Sequence, residues 1–184
     1  AFVREHIYWT ADGNNYLIKV MIYKDPDGKK HCFQYTWLGE LFWSNEGEKT
    51  HKGTWSAGTK DVELTLYNAP ILQQLQLSRN KEIYTVYIVE GEKDVETLLK
   101  HNKIATCNPM GAGKWKSSYN HLLQGLNCII LPDNDQVGRE HAEAVFESLQ
   151  GVANRRTIIN LVDIMPNLPP KADVSDFLEL GGVL

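Results

Sequence analysis

The chain has 184 residues, 42% of them hydrophobic, and a formal charge of −4, the balance of a globular protein with one domain or two small ones. It holds no apolar run near the roughly 20 residues of a membrane helix, and Arg4, Glu5 and His6 break the stretch where a signal peptide would lie. The acidity argues against a strong nucleic-acid footprint by charge alone. Cys32, Cys107 and Cys128 lack zinc-ribbon or finger spacing, so a reduced, cytoplasmic setting is expected.

The first third reads as an antiparallel β-meander. Ile7 to Trp9 forms a short strand, Asp12-Gly13-Asn14-Asn15 a turn, and Tyr16 to Tyr23 a strand with Tyr16, Ile18, Val20 and Ile22 on one side. Asp25-Pro26-Asp27-Gly28 has turn chemistry, and Phe33, Tyr35 and Trp37 alternate on the returning strand. These aromatics suit either a small β core or a base-stacking platform, and the core is favoured. Residues 39–62, rich in Gly, Ser, Thr, Glu and Lys, read as a loop or loose hairpin. Asn68 to Leu77, with Pro70 early, reads as a short helix. Leu77 to Lys81 marks the expected boundary between a β-rich subdomain, 1–80, and an α/β domain, 81–184.

The second part alternates strand and helix. Tyr84 to Val89 is a buried-strand run that ends in Glu90-Gly91, and Val95, Leu98 and Leu99 then recur on one helix face. Gly91 is expected to permit a sharp turn there. A short strand, Ile104 to Cys107, a glycine-rich loop, Asn108 to Trp115, and a helix near Ser118 to Leu123 follow. The run Asn127 to Leu131 leads into Pro132-Asp133-Asn134-Asp135 and a helix, 137–149, whose expected inner face is Val137, His141, Ala144, Val145 and Leu149. A strand over 157–162 and a helix from Phe177 to Leu180 complete an alternation that predicts a mainly parallel, four-stranded sheet flanked by helices.

Two strand-to-helix junctions therefore carry acids, Glu90 at one and Asp133 and Asp135 at the other, to the carboxyl edge where open α/β sheets bind ligands. Residues 1–85 hold ten basic and ten acidic residues, whereas 86–184 hold nine and thirteen. Carboxylates gathered in this way repel one another and call for a cation. Gly111-Ala112-Gly113-Lys114 is not a phosphate loop, because Asn108 stands at the first glycine position and Trp115 replaces the Ser or Thr. Asp133-Asn134-Asp135 is not a calcium loop, because Val137 and Ala144 occupy ligand positions. Asp173, Ser175 and Asp176 each suit the cap of the last helix, with Ser175 or Asp176 favoured.

Val89-Glu90-Gly91-Glu92-Lys93-Asp94, Leu131 to Arg139 and Lys171-Ala172-Asp173-Val174-Ser175-Asp176, in this order, resemble a Toprim domain of the primase and primase–helicase type found in phage, plasmid and other mobile-element replication proteins. The resemblance covers 84–182 and is looser over 1–80. It implies a Toprim-like sheet and a nucleotidyltransferase core that makes RNA primers on single-stranded DNA from ribonucleotides with Mg²⁺ or Mn²⁺. Glu90 matches the catalytic glutamate, Asp133 and Asp135 the metal-holding pair, and Asp173 the acid that completes the metal site. Lys93, Lys114, Arg139 and Lys171, close in sequence to these acids, are the expected phosphate or nucleic-acid contacts. No motor motif or zinc ligand set is present, so a helicase and a zinc-binding template reader are expected in cis or trans. With Ala1 at its start, the chain is expected to be a piece of a longer protein. A Toprim nuclease and a nonenzymatic nucleic-acid or nucleotide-binding module remain as alternatives.

Overall fold

The computed structural model describes residues 1–43 and 49–184, with the side chains of 41–43 and 49 not described. The fold is mixed α/β: an antiparallel four-stranded sheet, then a parallel four-stranded sheet flanked by helices. Contacts divide the chain into Ala1–Pro70 and Ile71–Leu184. The sequence placed the boundary about ten residues later, after the helix Ala69–Gln76 (α1). Gln76 donates to the Leu122 carbonyl at 3.0 Å, which ties the end of that helix to the second unit.

The first unit is a meander of β1 (Phe2–Trp9), β2 (Tyr16–Lys24), β3 (Lys30–Trp43) and β4 (Lys49–Ala57). Alternation places Ile18, Val20 and Ile22 on the buried face with Tyr8, and Tyr67 lies 5.0 Å from the Tyr8 ring. Of the two readings of 39–62, loop or loose hairpin, the described residues show the hairpin, β3 pairing with β4; residues 44–48 lie outside the described part. The glycines that suggested a loop pair with each other: Gly39 faces Gly53 across β3 and β4. A Cβ on either would fall 2.7 Å from the Trp37 indole, so the missing side chains make room for that ring.

In the second unit β5 (Thr85–Ile88), β6 (Ala105–Thr106), β7 (Asn127–Ile130) and β8 (Arg155–Ile158) run parallel in the order β6-β5-β7-β8. Three of the four β5 residues are buried, as the apolar run requires. The main helices are α2 (Glu92–Lys100) and α3 (Gln136–Ser148). The core gathers Val86, Ile88, Val95, Leu98, Val145 and Phe177. The helix expected near Ser118 to Leu123 is a 3₁₀ helix over Ser117–Leu123.

Three local expectations are corrected. Strand β8 ends at Ile158, and Asn160 starts a short helix α4 (Leu161–Ile164), so 157–162 is not one strand. The inner face of α3 is Gly138, His141, Ala142 and Val145, continued by Leu149, while Val137 and Ala144 are exposed. The helix rotates by this much because Gly138 is the residue set against the strand-end acids, as described below. The last helix, α5 (Val174–Glu179), is capped by Asp173 rather than by Ser175 or Asp176.

Candidate active site

Strand β5 connects outward to β6, and β7 connects outward on the other side to β8. The carboxyl ends of β5 and β7 therefore flank the point where the winding reverses, the place where open α/β sheets leave a crevice. Glu90 follows β5 and Asp133 follows β7. The two meet: the Asp133 backbone N–H donates to Glu90 Oε1 at 3.1 Å.

Gly138, in the first turn of α3, makes this approach possible. A Cβ there would stand 2.5 Å from Glu90 Oε1 and 2.6 Å from the Asp133 carbonyl oxygen. Asp135 caps the same helix, accepting from the Gly138 N–H at 2.8 Å. Gly91 behaves differently from expectation. Its φ of −130° and ψ of 152° are extended backbone, so no glycine-only turn exists there. Its small size leaves space beside Asp94, whose Oδ2 would lie 3.4 Å from a Cβ.

Asp173 reaches the site through Asn134. The Asn134 N–H donates to the Ala172 carbonyl at 2.8 Å, and the Lys171 N–H donates to the Asn134 carbonyl at 2.9 Å. The Asn134 side-chain amide donates to the carbonyls of Leu168, at 3.1 Å, and Pro169, at 3.0 Å. These four bonds bind the 168–172 segment to the acidic loop and set the start of α5 beside it. Asp173 then accepts from the Asp176 N–H at 2.9 Å, while Asp176 accepts from the Asp173 N–H at 3.0 Å, a reciprocal capping box.

The acids differ in what compensates them. Burial pushes the Asp133 carboxyl up to about 8, and the charges of Glu90, Asp94, Asp173 and Asp135 add to the rise. Burial also raises Glu90; the bond from Asp133 opposes this, and Asp135 and Asp173 reinforce it. Asp173 is lowered overall: burial raises it, but the Lys93 ammonium and the Asp176 N–H outweigh that. Asp94, buried in α2, is pushed up to about 6, chiefly by burial, while Ser175 Oγ lies 2.6 Å from its Oδ1.

The expected cations fall into two groups. Lys93 is already paired with Asp173 and lies 3.7 Å from Asp94. Lys114, Arg139 and Lys171 are exposed. Arg139 shares a cavity of about 210 Å³ with Asp133, Asn134 and Asn160. Lys114 follows the glycine loop, which is held rather than loose: the Gly113 N–H donates to His141 Nδ1 at 3.1 Å, and the Asn108 amide donates to the Gly111 carbonyl at 2.8 Å. Burial lowers His141, which suits a neutral ring accepting at Nδ1.

Among the described residues no three His, Cys, Asp or Glu side chains form a ready group of metal ligands. Asp135 is turned to its cap and Asp173 to Lys93. The donor set is nevertheless carboxylate oxygen, the chemistry that takes Mg²⁺ or Mn²⁺, and Asp133, raised chiefly by burial, also feels the charges of four neighbouring carboxylates. Sequence reasoning gave Asn134, Gly138, Asp94, Ser175 and His141 no part in this construction. Asp94, Asn134, Gly138 and Ser175 stood inside the quoted motifs and His141 on the expected inner face of its helix, but nothing local marked their partners.

No protein-family model matches the sequence, and no curated protein matches it. Solved structures do. A DnaG primase catalytic domain bound to single-stranded DNA is 16% identical, with a TM-score of 0.50 over 88% of this chain and 54% of its own. The E. coli primase catalytic core is 18% identical, with a TM-score of 0.50 over 96% of this chain and 53% of its own. A DNA primase domain from Pseudomonas aeruginosa is 19% identical, with a TM-score of 0.50 over 96% of this chain and 53% of its own. The chain spans about half the length of the primase chains it matches. At such identities the likeness is one of fold, and the fold of this chain is primase-like.

Proposed function

We propose that the chain is the metal-dependent nucleotidyltransferase core of a DNA primase-like replication protein, joining ribonucleotides on single-stranded DNA. The observation that carries the reading is the meeting of Glu90 and Asp133 at the reversal point of the sheet, with Asp135 and Asp173 close enough to perturb both. Asp133, Asp135 and Asp173 would hold Mg²⁺ or Mn²⁺. A bound divalent cation supplies neutralisation of phosphate charge there. Glu90, raised by burial, would accept the proton of the attacking ribose hydroxyl. The exposed Arg139, Lys114 and Lys171 would hold phosphates, whereas Lys93, engaged with Asp173, would act by keeping that acid charged. A helicase and a zinc-binding template reader would act with it, in cis or trans. Among the described residues no helix is long and apolar enough to cross a membrane.

The test supplies a template, an annealed ribonucleotide primer, ribonucleotides and Mn²⁺. Weak extension is expected, because the chain spans about half of the matching primases. It should disappear in Glu90→Gln. Cleavage of the labelled strand in place of extension would assign the same acids to a nuclease. Mn²⁺ binding with neither reaction would leave a binding module and overturn the proposal.

A further inference from the structure

The meander has two unlike faces. One buries Tyr8, Ile18, Val20 and Ile22. Cross-strand partners share a face, so the pairs Lys19–Tyr35, Met21–Phe33, Tyr23–His31 and Trp37–Trp55 lie together on the other. None of these eight residues is buried; Phe33 is 50% exposed, and the nearby Phe2 is 54% exposed.

The rings are organised. Phe33, Tyr35 and Trp37 repeat every second residue along β3, about 7 Å apart, close to the spacing of successive nucleotides in an extended strand. Trp37 and Trp55 meet with centroids at 5.1 Å, and Tyr23 meets Phe33 at 5.7 Å. Charge is placed among the rings. The Lys19 ammonium lies 4.7 Å from the Trp55 centroid and 5.6 Å from that of Tyr35. Glu5 is set 4.0 Å from the same ammonium. Exposed Lys29 lies in the β2–β3 turn beside them, whereas the cross-strand pair Lys24–Lys30 alternates onto the opposite face.

We infer that this aromatic face is a binding platform for single-stranded DNA, with bases stacking on Phe33, Tyr35 and Trp55 and phosphates meeting Lys19 and the turn residue Lys29. Flat rings interleaved with cations favour nucleic acid, since every base offers a π-face and the backbone offers negative charge. A core-like protein interface would deplete the lysines. The inference rests on the primase-like reading only in taking the strand to be DNA.

The test titrates the 184-residue chain into a labelled oligothymidylate at low salt and reads anisotropy and tryptophan fluorescence. Binding should quench the tryptophans. Phe33→Ala and Tyr35→Ala should each weaken it on the order of tenfold, with circular dichroism and melting unchanged, since both rings are accessible to solvent. An abasic strand of equal length should bind far more weakly and leave the fluorescence unquenched. Asp133→Asn/Asp135→Asn should keep strand binding while losing Mn²⁺ affinity, which separates failure of the platform from failure of the acidic site. Equal affinity in the ring variants, equal binding of the abasic strand, or no binding by the wild type would overturn the inference. So would a concentration-dependent dimer, seen by sedimentation, that Phe33→Ala dissolves, because a second copy would then cover the face.

Discussion

The Asp133 backbone N–H donates to Glu90 Oε1 at 3.1 Å, so the acid ending one strand is oriented by the main chain of the acid ending its neighbour. The bond favours a charged Glu90, yet burial and two other carboxylates outweigh it. Glu90 is thus fixed in place while its proton affinity is raised, the combination expected of a general base.

Asp133→Asn should stabilise the metal-free chain. The Asp133 pKa lies near 8 in the fold and at 3.8 ordinarily, so the folded state holds the proton more tightly. Stability from this group is therefore present at low pH and falls as pH rises between those values. The variant should gain on the order of 2 kcal/mol at pH 8, allowing for solvent reaching a partly buried carboxylate, and little near pH 4. Melting curves at the two pH values check it; an equal change at both would be inconsistent with a charge effect. Mn²⁺ should restore stability to the wild type and not to the variant.

Asn134→Ala removes no carboxylate but releases the carbonyls of Leu168 and Pro169. Losing these two bonds should cost about 1–3 kcal/mol and loosen the segment that delivers Asp173. Mn²⁺ affinity by titration calorimetry should fall, and Asn134→Asp should not rescue it, because a carboxylate cannot donate to those carbonyls. Unchanged affinity would confine Asn134 to stability.

Gly138→Ala should be among the most damaging single-methyl changes. The added carbon meets a carboxylate oxygen at 2.5 Å and a backbone oxygen at 2.6 Å, and the backbone has no rotamer to escape into. A loss of roughly 2–4 kcal/mol is expected. Chemical denaturation measures it; a cost under about 1 kcal/mol would mean that α3 shifts freely at its start.

Lys93→Met should destabilise by about 1 kcal/mol, a value discounted because the lysine side chain is 39% exposed. Asp173 is lowered in the fold, so its contribution is present above its ordinary pKa of 3.8 and is lost as pH falls through the folded value. Lys93 is raised above 10.5, so its contribution is present below that pH and is lost above it. The effect should hold across neutral pH and vanish in acid. A double-mutant cycle with Asp173→Asn, which retains a capping side chain, should show coupling of similar size; additivity would show that the pair contributes nothing.

The sequence alone determined the strands that end in acids, the helices that follow them and the edge of the sheet that holds the acids. Apolar runs ending in Glu90 and in Pro132-Asp133-Asn134-Asp135, each followed by helical periodicity, are local patterns governed by backbone geometry and burial. Tertiary structure decided the rest, because the decisive partners lie far apart in the chain. Lys93 and Asp173 are separated by 80 residues, Asp94 and Ser175 by 81, and Gly113 and His141 by 28. Composition left 39–62 open between a loop and a loose hairpin, since the role of Gly39, on the strand of Trp37, and of Gly53, on its neighbour, is to make room for the Trp37 ring. The inner face of α3 was misread by hydrophobicity because its first buried residue is Gly138, chosen for lack of bulk against Glu90 rather than for apolar surface. Periodicity records what a residue buries, and here the deciding property was the space it leaves.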